Sequence, residues 1–569
     1  MYPRTAEEGD NVAALLLRSM SRNQNNPALW DGTKWLSFHE LHSLVIRAGG
    51  YLRSLGAKTQ DRVVIACSNS PEFRILELAV IVEGMVRVAL SARLHPREIA
   101  SIAADSGASV VICDPRQALA IAGCLRREPA IPPALVAVGT VGQDSEPVVS
   151  PSLLAEEFPV AGVPFHGLTI DRLQHYAGSP QRPTIAASDT VMLMYSSGTT
   201  GTPKGIPVTH EAWMAQTTLA GVCLPPIGPH DVVLAVAPMS HFGGSIGLDC
   251  TIRGAATVTM ADFKPQEIFE SIDKHAVTVL PLIPIMLRDL SLSPAATPRP
   301  QLRAVPYGGS GISVDTLIMA EKLFPGALHQ FYGLAEALAP ISSLSGAEHS
   351  RAVERHGDLQ SRDEAIRILS SAGRPLAEIE VRIGDPGEPA AGNREIFVRG
   401  KTVMQGYVGQ AKESASNLAN GWFATGDLGT VNADGYLMIA GRASQTIISG
   451  GFNVHPAEVE RIIEQLPGVA AAVVIGLPHD RWGEAVTAII ERGTVNDAQD
   501  PIQAADVASI CLSHLASYKK PKTVFFVDRL PRNSTGKIDR AAIDLTSLCE
   551  EPQPHSQLQK TMPQPDARN

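Results

Sequence analysis

The stretch Tyr195-Ser196-Ser197-Gly198-Thr199-Thr200-Gly201-Thr202-Pro203-Lys204-Gly205 puts three glycines, five serine or threonine hydroxyls and one lysine into eleven residues. Glycine adopts backbone angles that let successive N–H groups converge on an anion, hydroxyls donate further hydrogen bonds, and an ammonium adds charge. A loop of this composition suits phosphates, although flexible linkers share it, so its companions decide. It is not the Walker loop. The chain's Gly400-Lys401-Thr402 triplet has Glu395 where that spacing requires glycine, and Lys401 reads as a solvated surface lysine.

Around the loop the chain alternates helical and strand-like periods. Residues 38–55 read as an amphipathic helix, 62–67 as a buried strand, 72–84 as a helix, 86–90 as a strand, and 96–106 as a helix leading to a strand at 109–113. The rhythm returns at 231–237, 255–260 and 278–282. Alternating βα units predict parallel sheet covered by helices on both faces. Residues 127–186, rich in Pro, Gly and Ser, read as a surface excursion inside this domain.

At 569 residues the chain exceeds what one hydrophobic core organises, so at least two domains are expected. A hydrophobic share of 44% against 19% charged residues describes a globular chain. The formal charge, 48 − 58 = −10, argues against nucleic acid or an anionic membrane as a bulk partner. Seven cysteines without CxxC spacing fit free thiols in a reducing cytosol, so a cytoplasmic location is expected. The first eight residues lack a basic segment followed by an apolar run, and the apolar stretch 76–92 is broken by Glu77, Glu83 and Arg87. Neither a signal peptide nor a transmembrane segment is expected.

Six motifs follow in order: YSSGTTGTPKG at 195, PMSHFGG at 238, QFYGLAE at 330, GWFATGD at 421, GRASQTIISGGFNVHPAEVE at 441 and LPRNSTGKIDR at 530. With them the sequence resembles the adenylate-forming superfamily of acyl- and aryl-CoA synthetases, peptide-synthetase adenylation domains and luciferases, the acyl-CoA ligases most closely. The resemblance covers nearly the whole chain. It implies an α/β fold: a large ATP- and acid-binding domain at 1–442, built of mixed and parallel sheets flanked by helices, and a small mobile α+β lid domain at 443–548. Residues 549–569 carry too little apolar surface to fold and read as a disordered tail.

The resemblance further implies a ligase that joins a small carboxylic acid to coenzyme A with ATP and Mg2+. A carboxylate cannot lose oxide to a thiol at neutral pH; attaching AMP supplies a leaving group, at the cost of stabilising charge at the α-phosphate. By resemblance, Ser196, Ser197, Gly198, Thr199, Thr200, Gly201 and Lys204 embrace the β- and γ-phosphates, and Glu336 holds magnesium, an ion that takes few protein ligands. Tyr332 and Gly333 with Gly308, Gly309 and Ser310 enclose adenine, Asp427 accepts the ribose hydroxyls, and Arg442 helps hold the ribose or phosphate. Lys537 is the catalytic lysine that bridges the incoming carboxylate and the α-phosphate. His241, Phe242, Gly243, Tyr307 and Leu334 line the acid pocket, whose glycines leave space for a bulky group. His241 either orients the carboxylate or is a structural histidine. The small domain turns about Ser444 and then presents a pantetheine tunnel lined by Gly450 and Gly451.

Two positions depart from the family pattern. Ala335 stands where the magnesium motif carries a threonine whose hydroxyl donates to the α-phosphate; such a bond to a charged group is worth about 1.5–3 kcal/mol, or about one to two decades in rate. Ser444 stands where the hinge usually carries Asp or Lys. The leading expectation is the full two-step ligase, and the alternative confines the enzyme to thioesterification of a preformed acyl-AMP. Delivery to a carrier protein's phosphopantetheine is permitted but not implied, luciferase-like oxidation stays open, and binding without catalysis conflicts with the presence of Glu336 and Lys537. A homodimer is compatible with the sequence, and no residue forces an aryl, fatty or polycyclic acid.

Overall fold

A computed structural model describes residues 11–127, 133–138, 158–160, 163–176, 183–196, 204–384, 392–449, 452–479, 482–493, 502–515, 517–533, 536–545 and 548. The expected tail at 549–569 lies outside them. The chain divides into two compact units: Met1–Arg382 with Phe397–Thr425 and Val431–Leu437, and Ile383–Ile396 with Gly426–Thr430 and Met438–Asn569. The boundary differs from a single cut at residue 442. Strand Trp422–Val431 begins in the first unit and enters the second at Gly426.

The first unit is organised by an eight-stranded sheet in the order Lys204–Thr209, Thr190–Ser196, Val86–Ala89, Arg62–Ala66, Ala108–Cys113, Ala134–Val138, Val163–Leu168, Phe158–Val160. Its inner strands run parallel and each edge strand antiparallel to its neighbour. Successive side chains on a strand point to opposite faces. Val63, Ile65, Val110 and Ile112 accordingly meet helices Val12–Arg22, Phe38–Ser54 and Pro71–Val82, while Val64, Val111 and Cys113 meet Pro96–Ser106 and Pro115–Leu125. The excursion expected at 127–186 is corrected here. It supplies three strands to this sheet, and Ala134–Val138 is buried throughout, because a short apolar run completes the ladder within a polar sequence.

Local signals explain the helices. Ser37 accepts the Glu40 N–H while Glu40 reaches back to the Ser37 N–H, opening Phe38–Ser54 with a capping box. Ser70 caps Pro71–Val82, whose first residue is proline. That helix is buried on all sides, so its charges are internally paired: Glu77 lies 2.6 Å from Arg74 and 2.7 Å from Arg87.

A second sheet orders Val232–Ala235, Ala256–Thr259, Pro27–Trp30 and Trp35–Ser37, and a third orders Val305–Gly308, Leu328–Tyr332, Ser342–Leu344 and Arg374–Pro375. Residues 278–282, expected as a strand, form isolated bridges instead, from Val279 to Val233 and Ala304 and from Leu282 to Tyr307. Pro281 has no N–H with which to continue a ladder.

In the second unit, strands Phe452–Val454, Ile447–Ser449, Gly483–Arg492, Val469–His479 and Thr523–Val527 form one sheet. Helices Pro456–Ile463 and Ala504–His514 cover one face, where Val459, Ile463, Val507 and Cys511 meet Val474, Val486, Ala488 and Ile490. Ala471, Val473, Ile489, Phe525 and Leu530 occupy the other face. The molecule is therefore mixed α/β, with a large N-terminal part and a smaller C-terminal α+β part.

Candidate active site

Strands Thr190–Ser196 and Lys204–Thr209 pair antiparallel, with Ser196 opposite Lys204. The Ser196 side chain, together with Ser197, Gly198, Thr199, Thr200 and Gly201 between the strands, lies outside the described residues. Lys204 is buried, and its ammonium stands 5.6 Å from the centre of the Tyr407 ring, within cation–π range. Gly205 accepts the Val408 N–H at 2.9 Å, which ties the hairpin to the segment after Thr402.

The connection between Leu328–Tyr332 and Ser342–Leu344 carries Gly333, Leu334, Ala335 and Glu336. Leu334 donates its N–H to Ala337 at 2.9 Å, closing a turn, and a Cβ on Gly333 would stand 2.5 Å from the Ala339 Cα. Only glycine fits there. Glu336 Oε1 accepts the Tyr407 hydroxyl at 3.2 Å, and its carbonyl accepts the Met404 N–H at 2.8 Å. Among the described residues Glu336 forms no ion pair and its Oε2 has no hydrogen bond. Ala335 lines a cavity of about 270 Å³ with Leu338, Ile206, Val208, Thr402 and Met404. Lys401, at the rim of that cavity, is exposed and pairs with Glu211 at 3.1 Å, as a surface lysine does.

Strands Val305–Gly308 and Leu328–Tyr332 are parallel neighbours, so Tyr332, half-buried, stands near Gly308, Gly309 and Ser310. Gly309 and Ser310 are exposed, and Gly309 has φ +94°. Tyr307, expected on the pocket surface, is turned inward instead. It is fully buried in the apolar core, and its hydroxyl meets His349 Nε2 at 2.7 Å.

His241 precedes helix Phe242–Ile252 and its Nδ1 lies 2.7 Å from Ser240 Oγ. The loop before it is clamped from below: Asn69 donates to Ala235 and Ala237 carbonyls at 3.0 Å, accepts the Met239 N–H at 2.9 Å, and Arg87 donates to the Met239 carbonyl at 2.8 Å. Phe242 meets Phe331 edge to face at 6.0 Å. The expectation that glycines here leave room for substrate is corrected. A Cβ on Gly243 would stand 2.7 Å from Ala237 Cβ, on Gly244 1.7 Å from Met239 O, and on Gly308 2.3 Å from Phe331 O. These glycines allow backbone to touch backbone or a neighbouring methyl group.

In the second unit, Arg442 Nε lies 2.7 Å from Asp427 Oδ1, and Asp427 is nearly buried. Lys537 sits on a tight turn in which Asn533 accepts its N–H through Oδ1 at 3.0 Å and donates to its carbonyl at 2.8 Å; Gly536, at φ +83°, makes the reversal. The residue keeps exposed surface, yet loss of hydration, and then the Arg442 charge, hold the Lys537 ammonium below the usual lysine pKa, with Asp427 opposing. Asp427, Arg442 and Lys537 are thus brought into one electrostatic neighbourhood. Ser444 falls in the short 3-10 turn Ala443–Gln445, its side chain outside the described residues, as are Gly450 and Gly451.

The sequence motifs did not single out Tyr407. Its only local signal is an aromatic ring in the polar turn Gln405-Gly406-Tyr407. Among the described residues no three His, Cys, Asp or Glu side chains converge as a metal cage. A lone carboxylate with one open oxygen, Glu336, fits an ion that keeps much of its water and shares ligand phosphate oxygens.

Comparison with known proteins identifies the family. Residues 16–408 match the AMP-binding enzyme family, and residues 458–537 match the AMP-binding enzyme C-terminal domain. The chain is 31% identical over 526 residues to a feruloyl-CoA synthase of an Amycolatopsis species, spanning 90% of this chain and 94% of the relative. Among solved structures, amide bond synthetase McbA from Marinactinospora thermotolerans superposes with TM-score 0.77 at 25% identity, covering 93% of this chain and 98% of that one. The o-succinylbenzoate CoA synthetase MenE from Bacillus subtilis, in complex with its acyl-adenylate intermediate OSB-AMP, gives TM-score 0.73 at 26% identity, covering 93% and 97%. The chain therefore belongs to the AMP-binding enzyme family and is an adenylate-forming enzyme of the acyl-CoA ligase kind.

Proposed function

We propose that this enzyme performs both half-reactions of a carboxylic acid–CoA ligase. In the first, the acid's carboxylate oxygen attacks the α-phosphate of ATP, the bond to the β-phosphate breaks, and pyrophosphate leaves. In the second, the CoA thiolate attacks the acyl carbonyl of the acyl-AMP and AMP leaves. The grouping of Asp427, Arg442 and Lys537 carries this reading: it pairs a carboxylate suited to ribose hydroxyls with the ammonium that the first step needs. Lys537 would hold the attacking carboxylate against the α-phosphate, replacing water by a fixed cation. Lys204 would meet the outer phosphates. Glu336 would hold Mg2+ through Oε2; bound there with ATP, the ion screens the phosphate charge that opposes the attacking carboxylate.

The small domain would turn about Ser444 between the half-reactions, with Gly450 and Gly451 admitting the pantetheine arm. The relatives' names divide between aryl acids, with a feruloyl group in one and o-succinylbenzoate in another, and long-chain fatty acids, so the acid panel should hold both classes. A cytoplasmic location is part of the same proposal. Among the described residues no helix is long and apolar enough to cross a membrane.

Ala335 favours a second reading, in which the enzyme works mainly on preformed acyl-AMP. The deciding assay measures pyrophosphate release from ATP, Mg2+ and an acid panel beside acyl-CoA formation from the matching acyl-AMPs. Release with one acid class supports the two-step ligase; thioester formed from acyl-AMP without any release selects the second reading.

A further inference from the structure

We infer that Tyr407 is a positioning residue that joins the phosphate-loop lysine to the metal-binding carboxylate and keeps the two apart; this rests on the roles proposed above for Lys204 and Glu336. The hydroxyl of Tyr407 donates to Glu336 Oε1 at 3.2 Å, and its ring face receives the Lys204 ammonium at 5.6 Å. One side chain therefore holds an anion at its rim and a cation on its face. Without it, a buried lysine and a neighbouring carboxylate would gain by pairing directly, and each would be neutralised for its ligand. No such pair forms, and Glu336 keeps Oε2 open.

The backbone holds Tyr407 in this place. The strap from Thr402 to Val408 is stitched to the Glu336 turn by the Leu338 N–H to Thr402 carbonyl bond at 3.1 Å and the Met404 N–H to Glu336 carbonyl bond at 2.8 Å, with Ala337 and Val403 bridged antiparallel between them. Its other end is stitched to the phosphate hairpin by the Val408 N–H to Gly205 carbonyl bond at 2.9 Å. Gly406, at φ +146°, turns the chain just before Tyr407, whose own N–H donates to Ser414 Oγ at 2.8 Å. Motion of the phosphate hairpin would reach Glu336 through this strap. The hydroxyl also fixes which carboxylate oxygen points outward, so a metal ion meets an oriented ligand.

The test uses the full-length enzyme and Mn2+ as the probe, counted by the paramagnetic resonance of the free ion, with a non-hydrolysable ATP analogue present. Tyr407→Phe keeps the ring and removes the hydroxyl. It should weaken Mn2+ binding by about tenfold while leaving metal-free analogue affinity and the melting temperature unchanged. Tyr407→Leu removes both features and should also weaken metal-free analogue binding, because Lys204 loses its support. A Tyr407→Phe protein that binds Mn2+ like the parent overturns the inference while the function above stands. If Glu336→Gln also leaves Mn2+ binding unchanged, the metal role of Glu336 falls, and the inference falls with it.

Discussion

Arg442 Nε stands 2.7 Å from Asp427 Oδ1, so two residues proposed to bind the nucleotide form an ion pair with each other. Asp427 is nearly buried while Arg442 is about half exposed. The same pair sets the field at Lys537.

Asp427→Ala should raise the KM for ATP by about ten- to a hundredfold, from the loss of about 1.5–3 kcal/mol of bonding to the ribose. Its melting temperature should fall by little, because Arg442 is about half exposed and water can replace the lost partner. Steady-state kinetics with a thermal melt separates the two effects, and an unchanged KM removes the ribose role.

Partial loss of hydration, and then the Arg442 charge, hold the Lys537 ammonium below the usual lysine value of 10.5. The neutral form is favoured in the folded state, so folding gains stability as pH rises through the depressed value toward 10.5, while the acyl-AMP step loses its cation over the same range. Pyrophosphate release should fall on the alkaline side below pH 10.5. Lys537→Ala should abolish acyl-AMP formation and retain CoA transfer from supplied acyl-AMP. Equal loss of both refutes the assignment.

Ala335→Thr restores the hydroxyl that the family pattern places beside the α-phosphate. If that absence limits the first step, pyrophosphate release should rise by about ten- to a hundredfold, with little change in thioester formation from acyl-AMP. No gain would show that another donor already serves the phosphate.

Gly308→Ala would put a Cβ 2.3 Å from the Phe331 carbonyl oxygen and force two parallel strands apart. The expected cost is about 1–3 kcal/mol of stability, read in urea unfolding, together with weaker ATP binding because Tyr332 moves with its strand.

His349 Nε2 lies 2.7 Å from the Tyr307 hydroxyl, and Nδ1 lies 2.9 Å from the Ser345 carbonyl, to which it must donate. Burial holds its pKa at about 4 against an ordinary 6.5. Its contribution is complete above pH 6.5 and is lost as pH falls from 6.5 toward 4. By pH 5 the loss should reach about 2 kcal/mol, and His349→Asn should flatten that part of the stability profile.

Much of the large domain was legible because its signals are local. The helix at 96–106 is announced by proline at its start and glycine after its end, and the structure has Pro96–Ser106 with Gly107 at φ +60°. Residues 134–138 were missed because the polar residues around them masked a five-residue apolar run. Tyr307 was misread because strand alternation shows that a side chain leaves one face without showing which face is the core.

The sequence by itself determined the family and the α/β class, because its ordered motifs around glycine and charge carry the family resemblance, and by that resemblance it proposed Lys204, Glu336, Asp427, Arg442 and Lys537 as site residues. Only the tertiary structure decided that Gly243, Gly244 and Gly308 serve close packing, that Tyr307 belongs to the core, and that Tyr407 stands between Lys204 and Glu336. Those facts depend on which segments meet in space. Residue 407 lies 71 positions from 336 in the chain, and nothing local to either one encodes that meeting.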